Sequence, residues 1–244
     1  MVSTAAGAAK PPGNDGAEPL NKAAPKSDSL QAARPFVPTA QYHTRQVAGW
    51  TVHINQELLN ERAELGRAAL LLLETKLREI RTIVPRRALA ALERVPIWLG
   101  VDDYAVPNAT YHPSEEWLRT HGWNPEKARC VEIGNAAAFI DWSKDQPMIV
   151  LHELAHSYHH QVLRHDHAGL RAAYESAKAS GRYERVERGN GRAARAYALN
   201  NDQEFFAEGS EAYFGRNDFQ PFTRDELKVF DPETFVVIEE VWNQ

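Results

Sequence analysis

The chain cannot staple itself internally, because it has a single cysteine, Cys130. Long apolar runs are missing as well. The densest, Leu70-Leu71-Leu72-Leu73, is the length of a helix core rather than of a membrane span, so no transmembrane segment is expected. Positive charge is not in surplus. The 28 Lys and Arg stand against 33 Asp and Glu, a formal charge of -5, and give no footing for a nucleic-acid partner. Five arginines between 182 and 195 form the one local cluster, which reads most simply as a solvated face. Aromatic residues are absent before Phe36. Residues 1–35 are dominated by Ala, Pro, Gly, Lys and Ser without hydrophobic period, and are expected to form a disordered Ala/Pro-rich tail. Residues 36–244 then make one domain, long enough to bury a sizeable core. The tail offers no apolar stretch for a signal peptide. A tether of this kind suits a secreted or envelope-attached protein whose signal had been removed beforehand.

What the chain does have is the pentad His152-Glu153-Leu154-Ala155-His156. On a helix, positions four apart lie one above the other, so both imidazoles can share one metal ion. Glu153 points about 100° away and can reach a water on that ion. With ten histidines in the chain a chance match is a real alternative, so the context has to decide. Residues 146–163 read as one helix: Pro147 suits its first turn, Asp145 or Ser143 its N-cap, and Ile149, Val150, Leu151, Leu154, Ala155, Tyr158 and Val162 form an apolar stripe.

A catalytic zinc takes three protein ligands and keeps one position open. A third histidine six residues beyond the second would need a glycine three beyond it, and those places hold Val162 and His159. A glutamate from a later helix is the other arrangement. Asn201 can cap such a helix with Glu204 at the third position of a capping box, and Glu204 and Glu208 share a face. Glu204 is the expected metal ligand, with Glu208 accepting from the outer nitrogen of His152 or His156. Phe205 and Phe206 argue for a buried helix, where a carboxylate without a cation is costly.

The run Glu204-Phe205-Phe206-Ala207-Glu208 after a HExxH helix resembles the gluzincin clan of zinc metallopeptidases, and within it the family of the anthrax lethal factor catalytic domain and related secreted proline-specific endopeptidases. The resemblance spans residues 146–208. It implies a zincin-like α+β metalloprotease domain, with a small mixed sheet, the HExxH active-site helix and a mainly helical C-terminal subdomain. It also implies zinc as cofactor, a peptide or protein as substrate, and Glu204 as third ligand. Tyr197 stands seven residues before Glu204, where the family keeps a tyrosine that donates to the oxyanion. Gly189-Asn190-Gly191 between two short strands, 182–188 and 192–199, would deliver Tyr197 just ahead of the Glu204 helix. The family's strand before the metal helix binds extended substrate, so Val131, Ile133 and Asn135 are candidate substrate-binding residues, against an ordinary core strand.

The rest reads as a mixed domain. A strand at 47–54 is followed by Asn55 capping one long helix to about Ile83, with Leu58, Leu65, Leu72, Leu73, Leu77 and Ile80 inward. Then come a short helix at 88–93, a strand at 95–99, a Ser114-capped helix at 115–121 and a strand at 130–135 carrying a buried Cys130. Thr223 and Asp231-Pro232 start two final helices, the last with Phe235, Val236, Ile238 and Val241 inward. The expected reaction is peptide-bond hydrolysis with Glu153 as general base. A non-catalytic zinc-binding regulatory protein and an aminopeptidase stay open.

Overall fold

In a computed structural model, residues 36–102 and 109–244 are described; the expected tail at 1–35 lies outside them. The fold is α+β, with a small mixed sheet and many helices. Strands β1 (Tyr42–Val47) and β2 (Trp50–Asn55) form an antiparallel hairpin where the sequence suggested a single strand. The turn between them is Ala48-Gly49, both at positive φ, 46° and 100°. This is the mirror-image backbone that matches the twist of a two-residue hairpin, and alanine rarely adopts it, so the turn is poorly marked in the sequence.

Asn55 is an N-cap as expected, its side chain accepting from the Glu57 N–H. It caps only α1 (Gln56–Leu59). The chain then breaks before α2 (Ala63–Ile83), which is followed by α3 (Arg86–Leu92) after Pro85. A Cβ on Gly66 would collide with the Leu58 carbonyl, so α1 folds directly onto α2 at that glycine. Leu73, Leu77 and Ile80 face inward as expected, whereas Leu65 and Leu72 sit at the half-buried flanks.

The sheet is completed by β3 (Ile97–Leu99), β4 (Thr110–Tyr111) and β5 (Val131–Ile133), in the order β1-β2-β3-β5-β4. β2, β3 and β5 run parallel, and β4 returns antiparallel to β5. This placement corrects the expectation for the strand before the metal helix. β5 is paired on both sides, Val131 and Ile133 are fully buried, and the sheet edge on this side belongs to β4. Asn135 is also engaged elsewhere: its side chain caps α5 (Ala136–Trp142) and donates to Asp102. That helix was not anticipated between β5 and the pentad. On the other face of β5, Glu132 is buried with Lys127 and with His112, whose Nε2 lies 2.7 Å from its Oε2. Tyr42, Trp98 and Cys130 cover this second, small core. α4 (Glu115–Thr120) starts at Ser114, whose hydroxyl accepts from the Trp117 N–H.

Below the sheet runs α6 (Ile149–Gln161), the pentad helix, followed by α7 (Ala168–Ser180) and a short ladder of β6 (Val186–Glu187) and β7 (Ala193–Ala194). α8 (Asp202–Phe214) packs along α6. α9 (Arg224–Phe230) and α10 (Pro232–Trp242) close the domain. A Cβ on Gly209 would come to 3.1 Å from Ile238 Cδ1, so this glycine lets α10 lie close against α8. Phe235, Ile238 and Val241 are buried, but Val236 is about half exposed rather than inward. No helix among the described residues is long and apolar enough to cross a membrane.

Candidate metal centre

α6 begins at Ile149 rather than at Gln146, and Met148, not Asp145 or Ser143, takes the N-cap position, without a side-chain bond. Asp145 and Gln146 belong to the preceding turn, where their N–H groups both return to the Trp142 carbonyl. The pentad itself lies wholly within α6, and every residue from Ile149 to His159 is buried. The helix therefore presents its two histidines to the protein interior, facing α8 across the core.

α8 is set up by Asn201, whose Oδ1 accepts from the Glu204 N–H at 2.8 Å. The capping box is made in one direction only, because the Glu204 carboxylate turns instead towards α6. Its Oε2 lies 3.1 Å from His152 Nε2 and 3.4 Å from His156 Nε2, and the two Nε2 atoms are 3.1 Å apart. Three ligands each about 2.0–2.1 Å from a tetrahedral metal would stand about 3.3 Å from one another. The triangle fits that spacing. All three residues are at most 2% exposed, and Glu204 Oε1 is buried with no hydrogen-bond partner among the described residues. Two ring nitrogens and a carboxylate oxygen converging at this spacing are a donor set that a bound cation would satisfy. The residues present therefore fit a metal ion of the kind that takes nitrogen and oxygen donors.

The electrostatics of the trio are unequal. Burial works against a charged His152, but the Glu211 and Glu204 carboxylates beside it raise its pKa well above the ordinary histidine value. Burial dominates at His156 and lowers it. Burial also opposes a charged Glu204, yet the two imidazoles hold its carboxyl far below the usual carboxylate range. Glu153 is pushed up to about 8 by burial, with His152 pulling down and Glu204 adding to the rise. A cation held by the three ligands would lower it again. Glu153 Oε2 accepts the backbone N–H of Tyr111 at 2.8 Å, so the edge strand β4 meets the pentad at its glutamate.

The outer nitrogen of His152 does not go where the sequence suggested. Its Nδ1 donates to Glu211 Oε1 at 2.6 Å, while Glu208 Oε1 is 3.9 Å away, beyond hydrogen-bond reach. Glu208 accepts instead from Asn217 Nδ2 at 3.1 Å. The signal for Glu211 was present as a spacing: Glu204, Glu208 and Glu211 follow one another at i, i+4 and i+7, one continuous helix face. Which of the last two meets the histidine depends on the register between two helices, and that is not encoded locally.

Tyr197 is half-buried and heads a 3-10 turn, Tyr197–Leu199, between the β6–β7 ladder and α8. The ladder is shorter than expected, yet it brings Tyr197 to the entrance of the Glu204 helix. His160 finds a role outside the centre. Its Nδ1 is 2.8 Å from the Tyr111 hydroxyl, which also accepts from Gln161 Nε2 at 3.1 Å. His160 and His165, with Arg129, Asp202 and Gln203, line a cleft of about 1080 Å³ beside the first turn of α8. The arginine cluster is partly spent on local pairs, Arg182 donating to the Phe230 carbonyl and Arg195 meeting Glu184 at 3.2 Å. Comparison with protein-family models, with curated proteins and with solved structures returns no match for this chain.

Proposed function

We propose that this chain is a zinc-dependent metalloendopeptidase of gluzincin type, on a zincin-like domain, acting on peptide or protein substrates. The observation that carries the reading is the triangle of His152 Nε2, His156 Nε2 and Glu204 Oε2 at 3.1–3.4 Å, with the Glu153 carboxylate beside it. Two nitrogen donors and one carboxylate are the donor set of a catalytic rather than a structural zinc, since they leave a coordination position to fill. Zinc, when bound there, supplies Lewis acidity that brings the pKa of a water towards about 7 and polarises the scissile carbonyl.

The chain's own groups do the proton work. Glu153 accepts the proton of the attacking water and returns it to the leaving amine. The Tyr111 N–H fixes one oxygen of that carboxylate and leaves the other for the exchange. Tyr197, placed just before α8, donates its hydroxyl to the developing oxyanion. β5, bonded on both sides, offers no free edge to an extended substrate. The cleft lined by His160, Arg129 and Gln203, beside the first turn of α8, would receive substrate residues on one side of the scissile bond.

The deciding experiment is to measure zinc content and to incubate wild type and Glu153→Gln with a diverse peptide mixture, reading products by mass spectrometry. The reading expects one zinc per chain in both proteins and cleavage by the wild type alone. A zinc-free wild type prepared without chelators, or equal cleavage by both, would sink it.

A further inference from the structure

The environment of His152 extends well beyond the three candidate ligands. Glu211 Oε1, which accepts from His152 Nδ1, also accepts from Gln146 Nε2 at 2.8 Å. The oxygen of the same amide, Gln146 Oε1, accepts from Trp142 Nε1 at 2.9 Å. Gln146 is 1% exposed and Glu211 fully buried, while Trp142, the last residue of α5, is half-buried. The indole can only donate, so it settles which end of the amide is oxygen. The amide NH2 must then face Glu211, and Glu211 must accept from His152. Each link fixes the next. Lys76 adds charge of the right sign: its ammonium donates to the Pro147 carbonyl at 2.6 Å, and it and Glu211 attract one another.

His156 has nothing comparable. Its Nδ1 is buried without a hydrogen-bond partner among the described residues. One helix thus carries two imidazoles of different donor strength. A carboxylate on the outer nitrogen holds the ring in the tautomer whose inner nitrogen has a free lone pair, and makes that nitrogen more basic.

We propose that the chain Trp142–Gln146–Glu211 positions His152 as the dominant donor of the centre, so that metal affinity is set three links out, at the indole of α5. The inference rests on the metal-centre reading above. Gln146 and Trp142 are positioning residues in it: they act on the metal only through Glu211 and His152.

The test measures zinc affinity of the full chain by competition with a chromogenic chelator, for wild type, Glu211→Gln, Gln146→Met and Trp142→Phe. Loss of an outer-shell partner of this kind typically weakens metal binding about 10–100-fold. Glu211→Gln should fall in that range, with Gln146→Met next and Trp142→Phe least, all three weaker than wild type. Trp142→Phe loses the N–H together with part of the indole's bulk, whereas Gln146→Met breaks the same hydrogen bond and leaves the indole in place, so the pair separates the hydrogen bond from packing. A second readout, the nitrogen NMR shifts of His152 in the metal-free protein at a pH high enough to leave its ring neutral, should show a fixed Nδ1–H tautomer in wild type and a tautomer mixture in Gln146→Met. A merely structural role would lower thermal stability and leave both readouts unchanged. Wild-type affinity in all three variants overturns the inference while leaving the metal centre standing. Wild type that binds no zinc overturns the centre itself and the inference with it. Should Glu211→Gln fail to fold, the other two variants decide.

Discussion

Glu211 meets His152 at 2.6 Å from a position seven residues beyond Glu204 on the same helix, so α8 holds the pentad's first histidine from both ends. Glu204 faces its inner nitrogen and Glu211 its outer one. Two turns of one rigid element therefore supply a candidate ligand and the group that orients another.

The roles within the centre separate by substitution. Glu204→Ala and His156→Ala should each abolish stoichiometric zinc, measured by metal analysis after dialysis. Glu153→Gln should keep zinc and lose hydrolysis, by about 10²–10⁴-fold if its role is proton transfer. Loss of metal in Glu153→Gln would move that residue from the base to the ligand set.

Tyr197→Phe should lower kcat about 10²–10³-fold, the usual cost of removing one oxyanion donor, with zinc content unchanged. An unchanged rate would leave Tyr197 as a packing residue at the head of the 3-10 turn.

Bound zinc should raise the thermal unfolding midpoint, because the centre joins α6 to α8 and exists only in the folded chain. At a free zinc concentration 100 times Kd the gain is about 2.7 kcal/mol. Calorimetry with and without a chelator reads it, and Glu204→Ala should show no such difference.

Acid stability should be governed in part by Glu132, on the other face of β5. Burial opposes its charge, but Lys127 and His112 hold its pKa down to about 2, from an ordinary 4.5. A group depressed on folding stabilises the protein above its unfolded pKa. That stabilisation should be complete above pH 4.5 and disappear progressively as pH falls from 4.5 towards 2. Glu132→Gln leaves Lys127 buried without its counter-charge, and should cost about 3–5 kcal/mol in urea unfolding at pH 7.

Cys130 should resist alkylation in the native state. Burial pushes its thiol up to about 11, so little thiolate exists at neutral pH. Rapid labelling by iodoacetamide without denaturant would contradict its place beneath Tyr42 and Trp98.

The pentad helix, the Asn201 cap and the Glu204 helix were legible because each is specified locally, by spacing along one helix or by a side chain bonding its own backbone. Ser114, Thr223 and Asp231 start their helices for the same reason. The β1–β2 hairpin escaped because Ala48 occupies a turn position that asparagine or glycine usually marks. The break between α1 and α2 has neither glycine nor proline at residues 60–62 to announce it. Val131 and Ile133 looked equally suited to an edge or an interior strand, since alternation reports burial of a face and not occupancy of the hydrogen-bonding edges. Glu208 and Glu211 are both on the inward face of α8, and only the seating of α8 on α6 separates them.

Asn201, introduced above as the residue that starts α8, has a larger part than its chemistry suggests. The N–H that it caps belongs to Glu204, so the first turn of the helix and the third corner of the metal triangle are one piece of backbone. Replacing a cap of this type by alanine ordinarily costs about 1 kcal/mol and is booked as a stability effect. In Asn201→Ala the fraying would fall on the turn that carries Glu204, and the deficit would surface as faster metal dissociation in a protein that still unfolds almost as before. A residue that touches neither ion nor substrate would behave, in any functional screen, as part of the centre.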